Sequence, residues 1–505
     1  MLLSGDYLNP ELLGIFHFHK PPITYYITTL GYRIFGINEF GARFFLQISI
    51  IVQLVLVYGI SNLLYKNRKI SFLAGLIYFS MPIVLISSRN LTTDNYLTTF
   101  ILGAIYCWQY YVTYAKIWVL YLFYTLVGLA LLTKGPVALL FIIVYIVTEK
   151  TLFNRAFKVG VHHILGILVC LTISASWYLM VIIENPKLWD YFIQKQLASR
   201  MNADSFNRAK PVWYYALLLI GLIFPWWISL IPRFKSKIKS FQNLPRESLL
   251  LIYSSVTLFV IFSAFTTKLI FYLLPMFWMM AVFIAVQLPK IEALSRKYIN
   301  ITYLIIISLL CSAVIIFWIL DFSLIKSTFF ASLIALGIFI FSLLTYYLLD
   351  NSKSYKPAIM AAVFGACLVL LSSVIFRVNS TVINSTRDIV NFINHVSPGL
   401  NKTIIVDDHL LPSLSFYTRA PIITLKDERN TTNRETQFEN DNNWKKTLWD
   451  LNDSNSITKL DSLSRKPNDF LLISKKQGVQ PQLNFLKTRY NSKKEYPKWN
   501  LFYNK

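Results

Sequence analysis

Between Phe40 and Phe376 the chain is a succession of apolar runs separated by short polar breaks. Most runs approach the roughly 20 residues a helix needs to cross the hydrocarbon of a bilayer. This feature restricts the fold more than any other. Inside lipid every backbone N–H and C=O must be satisfied within its own segment, so such runs must be helices. They fall at 40–64, 70–88, 94–115, 117–133, 135–149, 160–183, 212–232, 247–266, 269–288, 299–320, 327–349 and 357–376, which predicts about a dozen transmembrane helices. The runs at 117–133 and 135–149 are short and also read as one broken or re-entrant element. Only 15% of the residues are charged, against roughly a quarter in an ordinary soluble domain.

The net charge of +24 would suggest nucleic acid in a soluble protein, but here the basic residues have another explanation. Alternate connections carry Lys66, Arg68 and Lys69; Lys116; Lys150, Arg155 and Lys158; Arg233, Lys235, Lys237, Lys239 and Arg246; Lys290, Arg296 and Lys297; and Lys353 and Lys356. By the positive-inside rule these loops are cytoplasmic, and no nucleic-acid partner is called for. The other side then holds residues 1–39, the turns near Asp94, Lys134, Lys268 and Asp321, the loop 184–211, and everything after Phe376. Both termini are expected to be extracytoplasmic, in a multi-pass protein of the plasma (inner) membrane. Met1–Lys20 lacks the continuous apolar core of a cleavable signal. Cys107, Cys170, Cys311 and Cys367 all fall inside apolar runs and read as small buried hydrophobes.

Composition divides the chain into an interface segment (1–39), a transmembrane domain (40–376) and a polar tail (377–505). Residues 21–36 mix aromatic and polar positions and predict an amphipathic helix lying at the membrane surface. In the tail, a helix at 386–397 and strands at Thr403–Val406, Ile422–Leu425 and Phe470–Ile473 predict a small α/β domain, with Lys498–Lys505 as a last strand. The stretch 426–446 reads as a loop, and Asp407-Asp408-His409 as a strand-to-helix turn with a helix-capping role. The fold class is therefore an all-α polytopic membrane protein with a small C-terminal α/β soluble domain.

Ionisable residues near membrane depth are costly and tend to be functional. Four stand out: Lys20 before Pro21-Pro22, Asp94 in Thr92-Thr93-Asp94-Asn95, Lys134 in Thr133-Lys134-Gly135-Pro136, and Lys268, one turn before Tyr272. All four map to the side opposite the basic loops. Ammonium groups neutralise a phosphate leaving group, and a carboxylate can act as base, so the cluster suits a lipid-borne phosphate. The segment Gln194–Lys210 adds Lys195, Arg200, Arg208 and Lys210 from a loop on the same side. His17 and His19 are two apart, a spacing that would align them only on a strand, and no metal is assigned.

At these residues the sequence resembles the bacterial GT-C glycosyltransferases, relatives of dolichyl-phosphate-mannose–protein mannosyltransferase and of the lipid A aminoarabinose transferase. The resemblance rests on SGDYLNPELLGIFHFHKPPITYYITTLGYRIFGINEFGARF, TTDNYL, LLTKGP, RAKPVWYYALLLIGLIFPWW and TKLIFYLLP, over about residues 4–285. It implies transfer of a sugar from a polyprenyl-phosphate donor to a lipid, glycan or protein acceptor at the extracytoplasmic face, with membrane lipids around it and no cofactor. Carried over by position, Lys20 would contact lipid phosphate, Asp94 would be the family's second acidic residue, and Lys134, Lys268 and Tyr272 would line the same cavity; Asp94 is the catalytic candidate within this chain, and Arg200, from the loop that could close over the site, a substrate-binding one. The family's first transmembrane helix and Asp-Glu motif would lie ahead of Met1. That leads us to expect either an internal start or an inactive truncated paralogue. His19 stands where some relatives carry a Glu metal ligand, and Arg208 near where they carry a His. A transporter or flippase of a lipid-linked substrate is the alternative from another class. It would show two repeated halves with paired broken helices, and the sequence has no such internal similarity.

Overall fold

The computed structural model describes residues 1–156, 159–193, 209–229, 244–321, 325–350, 353–380, 383, 385–399, 402–426, 436–465, 469–476, 478 and 481–504. The chain forms two compact units, Lys20–Ile375 and Met1–His19 with Phe376–Lys505. The boundary after residue 39 expected from composition therefore moves to His19. The first residues are built into the tail domain, and the interface helix belongs to the helical unit.

The helical unit begins with α1 (Ile23–Phe35), where an amphipathic helix was expected. It is followed by α2 (Glu39–Tyr65), whose cap is the Asn38 side chain accepting the Gly41 N–H at 2.8 Å. α1 packs on α2 through glycines. A Cβ on Gly31 would lie 2.1 Å from the Gly41 carbonyl oxygen, so only glycine permits this approach. Next come α3 (Arg68–Ser80), α4 (Pro82–Arg89), α5 (Thr93–Tyr114), α6 (Ile117–Lys134), α7 (Val137–Leu152) and α8 (Val161–Glu184). After the short α9 (Lys187–Asp190) come α10 (Tyr214–Leu222), α11 (Arg246–Ala264), α12 (Phe277–Gln287), α13 (Ala293–Ile319), α14 (Phe329–Leu348) and α15 (Lys356–Val378).

Among the described residues each expected span contains helix. Among the described residues eight helical segments are long and apolar enough to cross a membrane, or nine if the bent pair α3–α4 is one span. The remaining expected spans are less regular for visible reasons. α5 carries Asp94, Asn95 and Gln109 along its 22 residues. α7 has 16 residues. α10 stops at Leu222, and a 3₁₀ turn at Trp226–Ser229 follows Pro225. The two separate runs at 117–133 and 135–149 are two helices, and their alternative reading as one broken element does not hold. α6 and α7 are two separate helices meeting at Gly135-Pro136, while the span expected at 70–88 is the bent one, turning by 61° between α3 and α4. Pro82 at the start of α4 is the cause, because proline cannot supply the N–H that would continue α3. The spans also differ in depth. The window over Ile270–Lys290 is 78% buried, against 22% for that in α13, so α12 forms the centre of the helical unit.

The second unit holds a hairpin, β1 (Glu11–Leu12) with β2 (Ile15–Phe16), and a six-stranded sheet. The sheet comprises β3 (Thr403–Asp407), β4 (Ile422–Lys426), β5 (Leu448–Asp450), β6 (Asp469–Ser474), β7 (Ser492–Glu495) and β8 (Trp499–Tyr503), in the order β5-β4-β3-β6-β8-β7. The first four are parallel, and β8 and β7 are antiparallel additions. Ile404 and Phe470 face one apolar core, and Ile405 and Leu471 the other, the alternation expected of strands covered on both sides. Helices α16 (Arg387–Val396), α17 (Pro412–Thr418), α18 (Ser454–Leu463) and α19 (Asn484–Arg489) complete the domain. The hairpin is held by the Phe16 N–H donating to Glu439 Oε1 at 2.6 Å and by the Phe18 ring against Phe438 at 5.7 Å. Asp407-Asp408-His409 does not cap a helix. α17 begins at Pro412 without a side-chain cap, and the Asp408 N–H instead donates to the Leu425 carbonyl at 2.8 Å. Of the loop expected at 426–446, residues 427–435 lie outside the described residues, and Thr436–Phe438 and Asn443–Lys446 form 3₁₀ turns.

Candidate active site

Three elements of the helical unit converge on one ionic cluster. Asp94 lies in the first turn of α5, Lys134 in the last turn of α6, and Tyr272 in a 3₁₀ turn, Ile270–Met276, that leads into α12. α5 and α6 are consecutive and antiparallel neighbours, so the start of one and the end of the other share a side. Gly135 makes the end of α6 abrupt: its N–H bonds the Leu131 carbonyl at 2.7 Å, and its φ of +78° is a left-handed turn that suits glycine.

Lys134 Nζ donates to Asp94 Oδ1 in a salt bridge. Asp94 is 7% exposed and Lys134 8% exposed. The same ammonium stands 4.2 Å from the centroid of the Tyr272 ring, within cation–π range. Each charge also sits at the favourable end of its helix, a carboxylate at an N-terminus and an ammonium at a C-terminus. The Tyr178 hydroxyl borders the turn, 3.7 Å from where a Gly135 Cβ would be.

A polar network that sequence reading missed supports the start of α5. Gln53 Nε2 donates to the Asn95 carbonyl and to Thr99 Oγ1, both at 3.0 Å. Gln53 Oε1 accepts from the Tyr78 hydroxyl at 2.8 Å. Asn95 Nδ2 donates to the Ser87 carbonyl at 2.6 Å, tying α5 to α4, and Thr98 Oγ1 donates to the Asp94 carbonyl at 2.7 Å. The available signal was Gln53 itself, an amide in the middle of an apolar span.

The other expected residues are placed as follows. Lys268 is 2% exposed, and its ammonium donates to the main-chain carbonyls of Lys210, at 2.9 Å, and Phe265. The Lys210 N–H donates to the Thr266 carbonyl at 3.1 Å, and the Tyr215 hydroxyl to the Leu269 carbonyl at 2.9 Å. Lys268 thus ties the strand-like segment 209–211 to 265–269, and its hydrogen bonds do not include Asp94 or any other side chain of the cluster. Lys20 is half-buried, just ahead of α1, and α1 packs against both α2 and α6. Arg200 lies outside the described residues, as do Lys195 and Arg208. Among the described residues no group of three His, Cys, Asp or Glu side chains is arranged to hold a metal. The His17 and His19 rings are 4.8 Å apart, and His19 also packs on Phe438.

Residues 19–179 match the family model described as dolichyl-phosphate-mannose-protein mannosyltransferase. This agrees with the resemblance read from KPP, TTDNYL and LLTKGP. The chain is 32% identical over 293 residues to undecaprenyl phosphate-alpha-4-amino-4-deoxy-L-arabinose arabinosyl transferase 2 of Proteus mirabilis, covering 56% of this chain and 52% of that one. With a similarly named transferase of Pseudomonas fluorescens the identity is 27% over 316 residues, covering 60% and 53%. The chain thus spans about half the length of the curated relatives it matches. Its fold is that of ArnT from Cupriavidus metallidurans solved with undecaprenyl phosphate. The TM-score is 0.75 at 19% identity, covering 99% of this chain and 91% of that one. The apo form of the same protein matches equally well, with a TM-score of 0.75. The chain is a multi-pass membrane protein of GT-C fold with a small C-terminal sheet domain.

Proposed function

We propose that the protein is a glycosyltransferase that moves a sugar from a polyprenyl-phosphate carrier to a hydroxyl acceptor at the extracytoplasmic face of the membrane. The observation that carries this reading is the buried Asp94–Lys134 pair against Tyr272. It occurs within a fold whose solved relative binds undecaprenyl phosphate and within a chain whose matched relatives are named arabinosyl transferases. The alternating basic loops support the sidedness, which puts the cluster and the tail domain outside.

The chemistry needs two groups from this cluster. The acceptor oxygen attacks the anomeric carbon, the bond from that carbon to the phosphate oxygen breaks, and polyprenyl phosphate leaves. Lys134 stabilises the charge that develops on the departing phosphate, in a buried site where such stabilisation is strong. Asp94 takes the acceptor proton as general base. The phosphate gains one negative charge as the carboxylate loses one, so the cluster's total charge is unchanged through transfer. Tyr272 holds the ammonium in place, and Lys20 meets the phosphate from the start of α1. Lys268 serves as a clamp on the segment 209–211. Lipid A and other envelope glycolipids are acceptors of the required chemistry.

The test is transfer from a synthetic polyprenyl-phosphate sugar by membranes carrying the full chain. Asp94→Asn, Lys134→Ala and Lys20→Ala are expected to lose at least about 100-fold in rate per mole of folded protein in the membrane. Full transfer by the Asp94 and Lys134 variants refutes the assignment.

A further inference from the structure

The tail domain carries a cavity that the transfer chemistry leaves unused, and its place follows from the strand order β5-β4-β3-β6-β8-β7. From β3 the chain passes through α17 to β4, on one side of β3, and later through α18 to β6, on the other. Strand order therefore reverses between β3 and β6. Open parallel sheets bind ligands at such a point, in the crevice outside the carboxyl ends of the strands. A cavity of about 250 Å³ lies there. Leu411, just past the carboxyl end of β3, forms one side, and Trp499, paired with Ser474 at the carboxyl end of β6, forms another. The start of α16 completes the wall through Ser385, Asp388 and Ile389. It is tied to the start of α17 by Thr386 Oγ1 donating to Ser413 Oγ at 3.0 Å.

The lining divides into apolar walls and a polar rim. The Trp499 ring stands edge-on to the His409 ring, with centroids 5.2 Å apart, and His409 Nδ1 lies 3.1 Å from the Asp407 carbonyl. The indole is thus fixed from behind. It is half-buried, and its N–H has no partner among the described residues, the apolar body and polar tip that suit Trp to recognition surfaces. Ile389 and Leu411 add aliphatic surface. On the rim, the Tyr496 hydroxyl lies 3.5 Å from the Asp388 main-chain carbonyl and keeps its acceptor lone pairs. Asp388 Oδ2 accepts from Ser380 Oγ, while Oδ1 has no partner among the described residues. Ser385 Oγ accepts the Arg387 N–H at 3.2 Å and still has a hydrogen to give. Lys498 is exposed on the rim and already engaged, and no selectivity for anions is assigned to it.

We infer that this cavity binds the terminal pyranose ring of a glycan, with a C–H face of the ring against Trp499 and its hydroxyls on the rim. A sugar ring is apolar on its faces and carries hydroxyls around its edge. The cavity has the matching division: an aromatic and aliphatic wall, and around it an N–H donor, a carboxylate acceptor and two hydroxyls. Its volume falls a little below the range of about 300–1,000 Å³ usual for drug-sized ligands, which suits one ring. A phosphate would meet the Asp388 carboxylate, and the turn Asp408–Leu411 after β3 has no glycine of the kind that lets a backbone cradle a phosphate. A peptide adding to the sheet needs an open strand edge, and β8 is already paired on both sides, with β6 and β7. All the lining residues belong to the tail domain, so the inference does not rest on the transfer reading.

The full chain is reconstituted in lipid nanodiscs, because maltoside detergents offer sugar rings of their own. Saturation-transfer difference NMR then follows methyl β-D-glucopyranoside and methyl N-acetyl-β-D-glucosaminide, with glycerol as the control polyol. At least one glycoside should receive saturation, strongest at the C–H protons of one face, and glycerol should not. Excess inorganic phosphate should not displace the glycoside. Trp499→Ala and Asp388→Ala should each weaken binding about tenfold. Asp388 is exposed, so its variant keeps the fold even where Trp499→Ala does not, and a circular dichroism melting curve verifies this. The variant Asp94→Asn/Lys134→Met should bind the glycoside as the parent does, whatever becomes of sugar transfer. No saturation of either glycoside, equal saturation of glycerol, displacement by phosphate, or undiminished binding by the folded Asp388 variant would each overturn the inference. So would loss of binding in the Asp94/Lys134 variant, which would place the sugar at the ionic cluster.

Discussion

The Asp94–Lys134 pair offers a test that separates stability from chemistry. Both groups are more than nine-tenths buried. Removing either one leaves the other charge out of water without its partner, which costs about 3–5 kcal/mol. The two single changes are not equivalent. In Asp94→Asn the Lys134 ammonium keeps the face of Tyr272 at 4.2 Å, a contact that offsets about 1–2 kcal/mol of the loss in a desolvated site. In Lys134→Met the carboxylate loses its one salt bridge among the described residues, so this variant should be the less stable of the two. The double variant Asp94→Asn/Lys134→Met holds no buried charge. It should fall within about 1 kcal/mol of the parent, since replacing both members of a buried pair by neutral groups is nearly free. The assay is reversible unfolding in mixed micelles of dodecyl maltoside and sodium dodecyl sulfate, followed by circular dichroism. Transfer activity, measured in parallel, should be absent from all three variants. If the two single penalties add in the double variant to within about 0.5 kcal/mol, the groups are not coupled and the account of the cluster fails.

Other consequences concern the surrounding scaffold. Gly31→Ala drives a Cβ into the Gly41 carbonyl and should destabilise the helical unit by about 1–3 kcal/mol, measured in the same micelle titration. Lys268→Met removes two bonds from an ammonium to main-chain carbonyls, worth about 1.5–3 kcal/mol each; faster hydrogen exchange at residues 209–211 and 265–269 is the expected sign. In the tail domain the Glu495 carboxyl is held down to about 2 by hydrogen bonds from Lys493 and then Lys475. A depressed carboxylate stabilises the fold above the ordinary glutamate value of 4.5, and loses that contribution as pH falls toward 2. Glu495→Gln should therefore melt with a shallower dependence on acid pH, and the difference should shrink in high salt because the group is fully exposed.

Much of this architecture was legible because apolar length and loop charge are strong signals in a membrane chain. The strands at Thr403–Asp407, Ile422–Lys426 and Asp469–Ser474 were visible because they are buried on both faces and read as continuous apolar runs. Leu448–Asp450 and Ser492–Glu495 were not, because both are sheet edges. One is only three residues long, and the other carries two lysines and a glutamate that discourage further pairing. At the site, Asp94, Lys134 and Tyr272 were found as charges and aromatics in unexpected places, and the structure brings them together. Lys268 looked like the same kind of residue from its sequence context. Its partners are backbone carbonyls of segments far apart in sequence, which no side-chain pattern encodes. The attachment of Phe16 and Phe18 to Glu439 and Phe438 was illegible for a similar reason, since more than four hundred residues separate the partners.

The cluster's charge balance leads to a further prediction with an unusual sign. Without donor, the Lys134 ammonium is shared between Asp94 and the ring of Tyr272, so a polyprenyl phosphate must compete with a carboxylate for it. The carboxylate also repels the incoming phosphate. Removing that charge in Asp94→Asn relieves both penalties while leaving the ammonium and the helix ends in place. The variant should therefore bind polyprenyl phosphate more tightly than the parent, by about 1–2 kcal/mol or roughly five- to thirtyfold, although it transfers no sugar. Lys134→Met should bind it more weakly. Thermophoresis of the purified chain with a short-chain polyprenyl phosphate measures both. Weaker or unchanged binding by Asp94→Asn would mean that the phosphate does not approach Lys134, and the leaving-group role would have to pass to another cation. Tighter binding together with lost transfer is the outcome expected when one residue restrains the donor in the resting site and takes the acceptor's proton once the donor has arrived.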